Sequence, residues 1–303
     1  NPGFAGTVIQ EFDAKARRLI GQRRHFYKGT ALGVCEGPQI LKKDGWYYLL
    51  CAAGGTGYSH AATVARARSL DGPWEDSPYM PLMTTKDDPS NPLQKSGHCC
   101  FLHKGEDWYV TQICARPLTQ RGNCTLGRET ALQKIEWVDG WPRLANGTHH
   151  PELSVEVEAD VLTPVCTDHS ETVTFAPDRS LPVSFKTLRV PLEAEKARRW
   201  ESFRFAAETT LDFAPQNFQQ VAGLILYYDT CNWIYAYVTW DEVRHCRILQ
   251  VMQCDFKDFS YGSEAVCLPE GTVSLRAEVN HAEARFFYKT NGADWAPLGG
   301  VQS

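Results

Sequence analysis

Residues 36–53 read EGPQILKKDGWYYLLCAA, and residues 96–115 read SGHCCFLHKGEDWYVTQICA. Both pass from a glycine through an apolar strand and a charged turn into a Trp-Tyr strand, and both end on Cys-Ala. Asp44-Gly45 is a hairpin turn, because glycine tolerates the positive φ that such turns demand. WYYLL, which follows it, is apolar on both faces and reads as a strand covered on both sides. The two segments stand about sixty residues apart, somewhat above the roughly 40–50 residues of familiar propeller blades. Two readings fit. One is a pair of successive blades around a central channel, with a long loop inside the repeat; the other is an ordinary meander with two similar hairpins. In the first, Glu36 and His98 occupy equivalent positions, at the starts of corresponding strands near the axis.

Around these segments, aromatic and β-branched clusters bounded by Gly, Pro, Asn and Asp dominate the first 145 residues, and long amphipathic helical patterns are absent, so the class is all-β. GGTGYSH, residues 54–60, lacks the Gly-Lys-Ser/Thr of a phosphate loop and leads into another strand. Close approach of backbone to a ligand or to the next strand accounts for its glycines. Residues 146–190 loosen into an acidic, Pro- and Thr-bearing linker with an edge strand. From about residue 190, segments such as RFAAETTLDF, QVAGLILYY, NWIYAYVTW and TVSLRAEV alternate with turn residues such as Asn291-Gly292, the pattern of a β-sandwich. Trp233, Tyr235 and Tyr237 alternate along one strand face, which reads as sandwich core in preference to a platform for sugar rings.

The 303 residues, 43% hydrophobic and 22% charged, are enough to bury real cores. A net charge of −5 with scattered Lys and Arg argues against nucleic acid as a partner. No run is long enough to span a bilayer and no basic-then-apolar leader opens the chain, so no membrane role is expected and the compartment stays open. The eleven cysteines include no C-x-x-C pair and no zinc-ligand spacing. Most read as buried small hydrophobes, the odd number argues against a complete disulfide framework, and vicinal Cys99 and Cys100 are candidates for redox sensitivity. Asn123-Cys124-Thr125 and Asn146-Gly147-Thr148 fit the N-glycosylation acceptor pattern, relevant to a secreted chain.

EGPQILKKDGWYYLLCAAGGTGYSHAATVARARSLDGPWE (36–75), PLQKSGH (92–98), ARPL (115–118) and LGRETALQKIEWVDGWPRL (126–144) together resemble the β-xylosidases of glycoside hydrolase family 43. The stretch 197–239, from ARRWESF to IYAYVT, is similar to the β-sandwich attached to these enzymes. The resemblance implies part of a five-bladed β-propeller over residues 1–150, a linker and edge segment over 151–190, and a concanavalin A-like β-sandwich over 191–303. It further implies hydrolysis of β-1,4-xylosides, and of α-L-arabinofuranosides, with inversion. Inversion needs a protonated acid for the leaving oxygen and a carboxylate base for water, some 6.5–9.5 Å apart. The resemblance gives the acid role to Glu36. Val34, Pro38 and Ile40 around it are expected to shield it from water and disfavour its charged form. His98 matches the histidine at the channel centre, near the substrate and a calcium or water site. Arg128 matches the arginine that reaches sugar hydroxyls, and Thr56 lies in a stretch near the acid. On the residues alone, Arg128 reads as a surface charge and Thr56 as a turn residue.

The resemblance implies a base aspartate in the first blade and a second, orienting aspartate upstream of EGP, and neither has a counterpart here. Asp13 belongs to an outer hairpin and takes no catalytic role. The expectation is therefore a fragment or short form lacking roughly 150 residues, about three blades, and part of the sandwich's far end, with little activity alone. No metal ligand set and no required cofactor are expected, apart from room for calcium near His98. The partners expected are xylo-oligosaccharides or arabinosides, and a second copy of the chain. A different class also fits: a non-catalytic sugar-binding protein that keeps part of the pocket.

Overall fold

The structure is a computed structural model that describes residues 6–157, 170–174, 185–186 and 197–303. It divides into two compact units, residues 1–183 and 184–303. No helix among the described residues is long and apolar enough to cross a membrane.

The first unit opens with a hairpin of β1 (Thr7–Asp13) and β2 (Arg18–Tyr27). Two antiparallel meanders follow. One runs β3 (Cys35–Lys43), β4 (Trp46–Ala53), β5 (Ala61–Ala67) and β6 (Glu75–Asp76), with β7 (Met83–Thr84) also pairing β5. The other runs β8 (Gln94–Lys104), β9 (Asp107–Ala115), β10 (Glu129–Val138) and β11 (Trp141–Leu144). The quoted repeat is thus the first hairpin of each meander. Asp44-Gly45 turns β3 into β4 with φ of +50° and +74°, and Asp139-Gly140 does the same between β10 and β11 with +51° and +73°. Two consecutive positive φ values make the type I′ turn that matches strand twist, and Asp-Gly is a pair that adopts it at low cost.

The meanders pack face to face as successive propeller blades do. Tyr48, Leu50, Ala62 and Val64 of one share a buried core with Cys99, Val110, Ile135 and Trp141 of the other. Trp137 sits at the centre of an aromatic cluster, with ring centroids 4.9 Å from Tyr48, 5.5 Å from Trp108 and 6.2 Å from Phe101. Of the aromatic residues that make the two segments look alike, Tyr48 crosses to the next sheet, meeting Trp137 and Trp141, while Trp108 meets Trp137 within its own sheet; each such pair adds about 0.5–1.5 kcal/mol beyond its buried area. Tyr48 also donates its hydroxyl to the Gly140 carbonyl at 2.6 Å, which ties the two meanders at their turns. Cys99 lies in this core while Cys100, on the opposite face of β8, is exposed. Burial pushes the Cys99 thiol well above its ordinary value, the reverse of a reactive thiolate.

In the second unit, β14 (Arg204–Leu211), β20 (Val273–Asn280), β21 (Glu283–Thr290) and β22 (Ala296–Gln302) form one sheet, in that order. The other is β15 (Ala222–Asp229), β16 (Asn232–Asp241), β17 (Cys246–Asp255) and β18 (Asp258–Tyr261), with β19 (Val266–Cys267) on β17. A two-stranded pair, β12 (Phe185–Lys186) and β13 (Ala197–Arg198), stands apart from both. Leu226, Ala236, Val238, Leu249 and Val251 meet Val273, Leu275, Ala277 and Phe286 in one core.

The aromatic stripe is not in that core. Ala236 and Val238 occupy the inward face of β16, so Trp233, Tyr235 and Tyr237 lie on the outer face, with the Tyr235 and Tyr237 rings 5.6 Å apart. Alternation with period two fixes that the aromatics share a face, and only the partner sheet fixes which face it is. A disulfide between Cys246 and Cys267 links β17 to β19, and eight other described cysteines are free. The linker expected over 151–190 falls largely outside the described residues.

Candidate active site

Glu36 pairs with Ala52 across β3 and β4, but the next regular pair is Gln39 with Leu50, so Gly37-Pro38 form a bulge. The second hairpin repeats this: Gly97 pairs with Ile113, Cys100 pairs with Thr111, and His98-Cys99 bulge between them. Bulges bend a strand and re-aim its side chains, and they are frequent beside active sites. Counted from the turn-closing pairs Lys43–Trp46 and Lys104–Asp107, Glu36 matches Gly97, and Gly37 matches His98. This corrects the equivalence of Glu36 with His98 by one residue. Both matched positions are left-handed, with φ of +57° at Gly37 and +51° at His98.

The two bulges touch. A Cβ on Gly37 would lie 2.3 Å from Nε2 and 2.6 Å from Cε1 of His98, so the imidazole rests on the bare α-carbon next to Glu36. Glycine is required there twice over, for its φ and for the space. Gln39 adds a second tie, its Oε1 accepting from the Phe101 amide at 2.7 Å, which fixes β3 against β8 just beyond both bulges.

His60 completes the group and was not singled out by sequence. It is 3% exposed at the end of the glycine-rich loop. Gly54 allows that loop to close, since a Cβ there would lie 2.0 Å from the Ser59 carbonyl oxygen, and Gly97 allows His60 to lie beside β8, with a Cβ meeting His60 Cδ2 at 2.8 Å. His60 Nδ1 is 2.9 Å from the Lys95 carbonyl oxygen. A carbonyl only accepts, so Nδ1 carries the proton and neutral His60 presents Nε2 as a bare acceptor; Nε2 is buried without a partner among the described residues. Burial lowers the His60 pKa, the Lys95 bond opposes this, His98 and Arg128 lower it further, and Glu36 raises it. Glu36, His98 and Arg128 thus all stand within electrostatic reach of His60.

Arg128 is exposed between β9 and β10, beside an ion pair that anchors its loop. Arg116, from ARPL, forks onto Glu129, from LGRET, through Nε at 3.1 Å to both carboxylate oxygens and Nη2 at 2.7 Å to Oε1. The motifs therefore meet in space, and the pair closes the loop that carries Arg128. Thr56 is exposed in the glycine-rich loop, and no hydrogen bond among the described residues joins it to the group.

The shielding of Glu36 expected from Val34, Pro38 and Ile40 is not found. Glu36 and Ile40 are both exposed, but the bulge between them breaks the alternation: Glu36 pairs with Ala52 and Ile40 with Leu49, so the two lie on opposite faces of β3, an edge strand, and Ile40 does not enclose the carboxyl. A cleft of about 370 Å³ lies elsewhere on the first unit, lined by Leu93, Arg116, Glu129 and Leu153, and touches the group only through the fork. The two bulges meet beside Glu36, and the charges of Glu36, His98 and Arg128 converge on His60, which sets this group apart from the cleft. The described residues that bring three ligand atoms together are Asp87, His149 and His150, and His98 is not among them.

Residues 1–142 match the family described as Glycosyl hydrolases family 43, and residues 179–303 match the Beta xylosidase C-terminal Concanavalin A-like domain. The chain is 37% identical to the Beta-xylosidase of Bacillus subtilis (strain 168), over 96% of this chain and 62% of that protein. It is 35% identical to Xylosidase/arabinosidase 43B of Humicola insolens, over 98% and 61%. The crystal structure of xylan beta-1,4-xylosidase from Bacillus halodurans C-125 superposes with a TM-score of 0.87 at 35% identity, covering all of this chain and 63% of that one. The chain therefore spans a little over three fifths of the length of the relatives it matches. Its two units are propeller and concanavalin A-like sandwich in the order these relatives carry them, and the chain belongs to glycosyl hydrolase family 43.

Proposed function

We propose that this chain takes part in hydrolysis of β-1,4-xylosides, and of α-L-arabinofuranosides, by an inverting mechanism in which Glu36 is the general acid. The contact of His98 with Gly37 carries this reading, because it sets an imidazole against the residue next to Glu36. Glu36 gives its proton to the glycosidic oxygen as the bond to the anomeric carbon breaks. Water attacks that carbon from the opposite face and loses its proton to a second carboxylate, which the reading does not assign to a residue of this chain. Exposure suits the acid, since the leaving sugar must reach it from solvent. Arg128 can donate two parallel hydrogen bonds to adjacent hydroxyls, and His60 Nε2 can accept one. The names of the Bacillus subtilis and Humicola insolens relatives support the substrate class.

The test compares hydrolysis of p-nitrophenyl β-D-xylopyranoside by the 303-residue chain, and by the Bacillus subtilis relative with this chain in place of its matching segment. Each is assayed with Glu36 and with Glu36→Gln. An acid role predicts a loss of about 10²–10⁴-fold in the variant, much smaller with a dinitrophenyl leaving group that needs no proton. Equal losses on both substrates would exclude Glu36 as the acid. Xylobiose binding without turnover in every protein would replace the enzyme reading with sugar binding alone.

A further inference from the structure

Asp87 lies in the loop after β7, and His149 and His150 lie on the segment that leaves β11. His149 Nε2 stands 2.9 Å from one Asp87 carboxylate oxygen and His150 Nε2 stands 3.1 Å from the other. All three ligand atoms lie within 4.8 Å of one another. We propose that Asp87, His149 and His150 form a binding site for zinc or a similar late first-row divalent cation, which clips the segment 145–152 to the 84–91 loop.

The donor set selects the ion. Two imidazoles and one carboxylate suit zinc, nickel or copper, whereas calcium and magnesium require mostly oxygen. A tetrahedral zinc holds each His nitrogen at about 2.0–2.1 Å, which spaces neighbouring ligand atoms at roughly 3.3 Å. The two histidine–carboxylate distances are within a few tenths of an ångström of that, so rotation of half-exposed rings closes the third edge. The ion replaces the two Nε2 protons that now bridge to the carboxylate, and the remaining coordination is open to water.

The backbone on both sides is already placed. The Thr84 amide donates to the His149 carbonyl at 3.0 Å, so the strand preceding Asp87 is bonded directly to the histidine segment. Asn146 Nδ2 donates to the His150 carbonyl at 2.9 Å, while Asn146 Oδ1 accepts from the Thr148 amide at 3.0 Å. The glycosylation-type Asn146 is thus engaged in building the turn that presents both rings. Farther along, Asn91 Nδ2 donates to the Pro151 carbonyl at 3.1 Å, and the Glu152 amide donates to Gln133 Oε1 at 2.8 Å. An ion would join the same two pieces as the Thr84–His149 and Asn91–Pro151 bonds, with little further ordering required.

The test is equilibrium dialysis of the full chain against zinc chloride, after alkylation of exposed thiols so that Cys100 cannot contribute. One zinc per chain is expected, and the melting temperature should rise by roughly 5–10 °C at about a hundred times the measured Kd. Asp87→Asn and the double variant His149→Gln/His150→Gln should each lose the bound zinc and the shift, with an unaltered circular dichroism spectrum. His98→Ala should keep both. Cobalt(II) added to the parent should show the visible absorption of a nitrogen–oxygen site, lost in the double variant. The proposal is overturned if no zinc binds, if binding survives the double variant, or if it disappears in His98→Ala.

Discussion

Gly37→Ala tests the bulge contact directly. Alanine at a φ of +57° is strained by about 1–2 kcal/mol. Its methyl would also lie 2.3 Å from His98 Nε2, well inside van der Waals contact, so the ring must move. The His98 backbone cannot follow freely, because Gly97 is seated against the Ala61 carbonyl at a would-be Cβ distance of 2.7 Å and Cys99 is buried in the core behind it. The ring must therefore turn away, and the combined effect should lower stability by roughly 2–3 kcal/mol. A displacement of Glu36 and His98 by about 1 Å would cost on the order of 10²-fold in turnover. Urea unfolding of Gly37→Ala, His98→Ala and the double variant separates the two parts. In the His98→Ala background the cost of Gly37→Ala should fall to the backbone strain alone, a coupling of about 1 kcal/mol. Equal costs in both backgrounds would show that the imidazole does not press on Gly37.

Three further outcomes are expected. His60 has a lowered pKa in the folded state, so the unfolded chain takes up its proton first; this stabilising term is present above about pH 6.5 and is lost as pH falls below it. The difference in urea midpoint between pH 7.5 and 5.5 should shrink in His60→Asn, and an unchanged difference would show that His60 does not carry it. Phe256-Lys257 turn β17 into β18 with φ of +47° and +76°, and Phe256 is exposed, so replacing the pair with Asn-Gly should raise stability by roughly 1 kcal/mol, read from thermal melts. Cys246→Ser/Cys267→Ser should lower the stability of the second unit by about 3 kcal/mol, the loop-closure contribution for 21 residues, and leave the first unit's transition in place.

The fold was legible wherever the signal was local. The Asp44-Gly45 turn and the aromatic hairpins are short-range chemistry, and the structure has them at the residues expected. The one-residue error between Glu36 and His98 comes from aligning the hairpins on their tryptophans: each residue stands ten positions before its Trp, but the first hairpin closes on Trp46 whereas the second closes on Asp107, one residue before Trp108. The apolar neighbours of Glu36 misled because the bulge turns Ile40 to the opposite face of the strand, and because Glu36 and Pro38 are open to solvent at the sheet's edge. His60 left no mark in the chain beyond its place after the glycines, since its burial depends on Gly97, thirty-seven residues away. The His149-His150 pair was visible as two letters, but Asp87 reaches them only through the pairing of Thr84 with the departing segment.

The Arg116–Glu129 fork has a practical consequence for protein engineering. It clamps the two ends of the 117–128 loop, and that loop is further braced by its own turns, from the Leu118 amide to the Asn123 carbonyl and from the Gly122 amide to the Thr119 carbonyl, each at 2.9 Å. A segment fastened at its mouth behaves as a cassette. Its exposed part, 117–123, can be lengthened, shortened or randomised as a unit while β9 and β10 keep their register, whereas a library that varies Arg116 or Glu129 singly would strand a charge on the other. Recombination between relatives should accordingly preserve these two residues together with buried Cys124 and Leu126 and with Arg128, and draw its diversity from the residues before them.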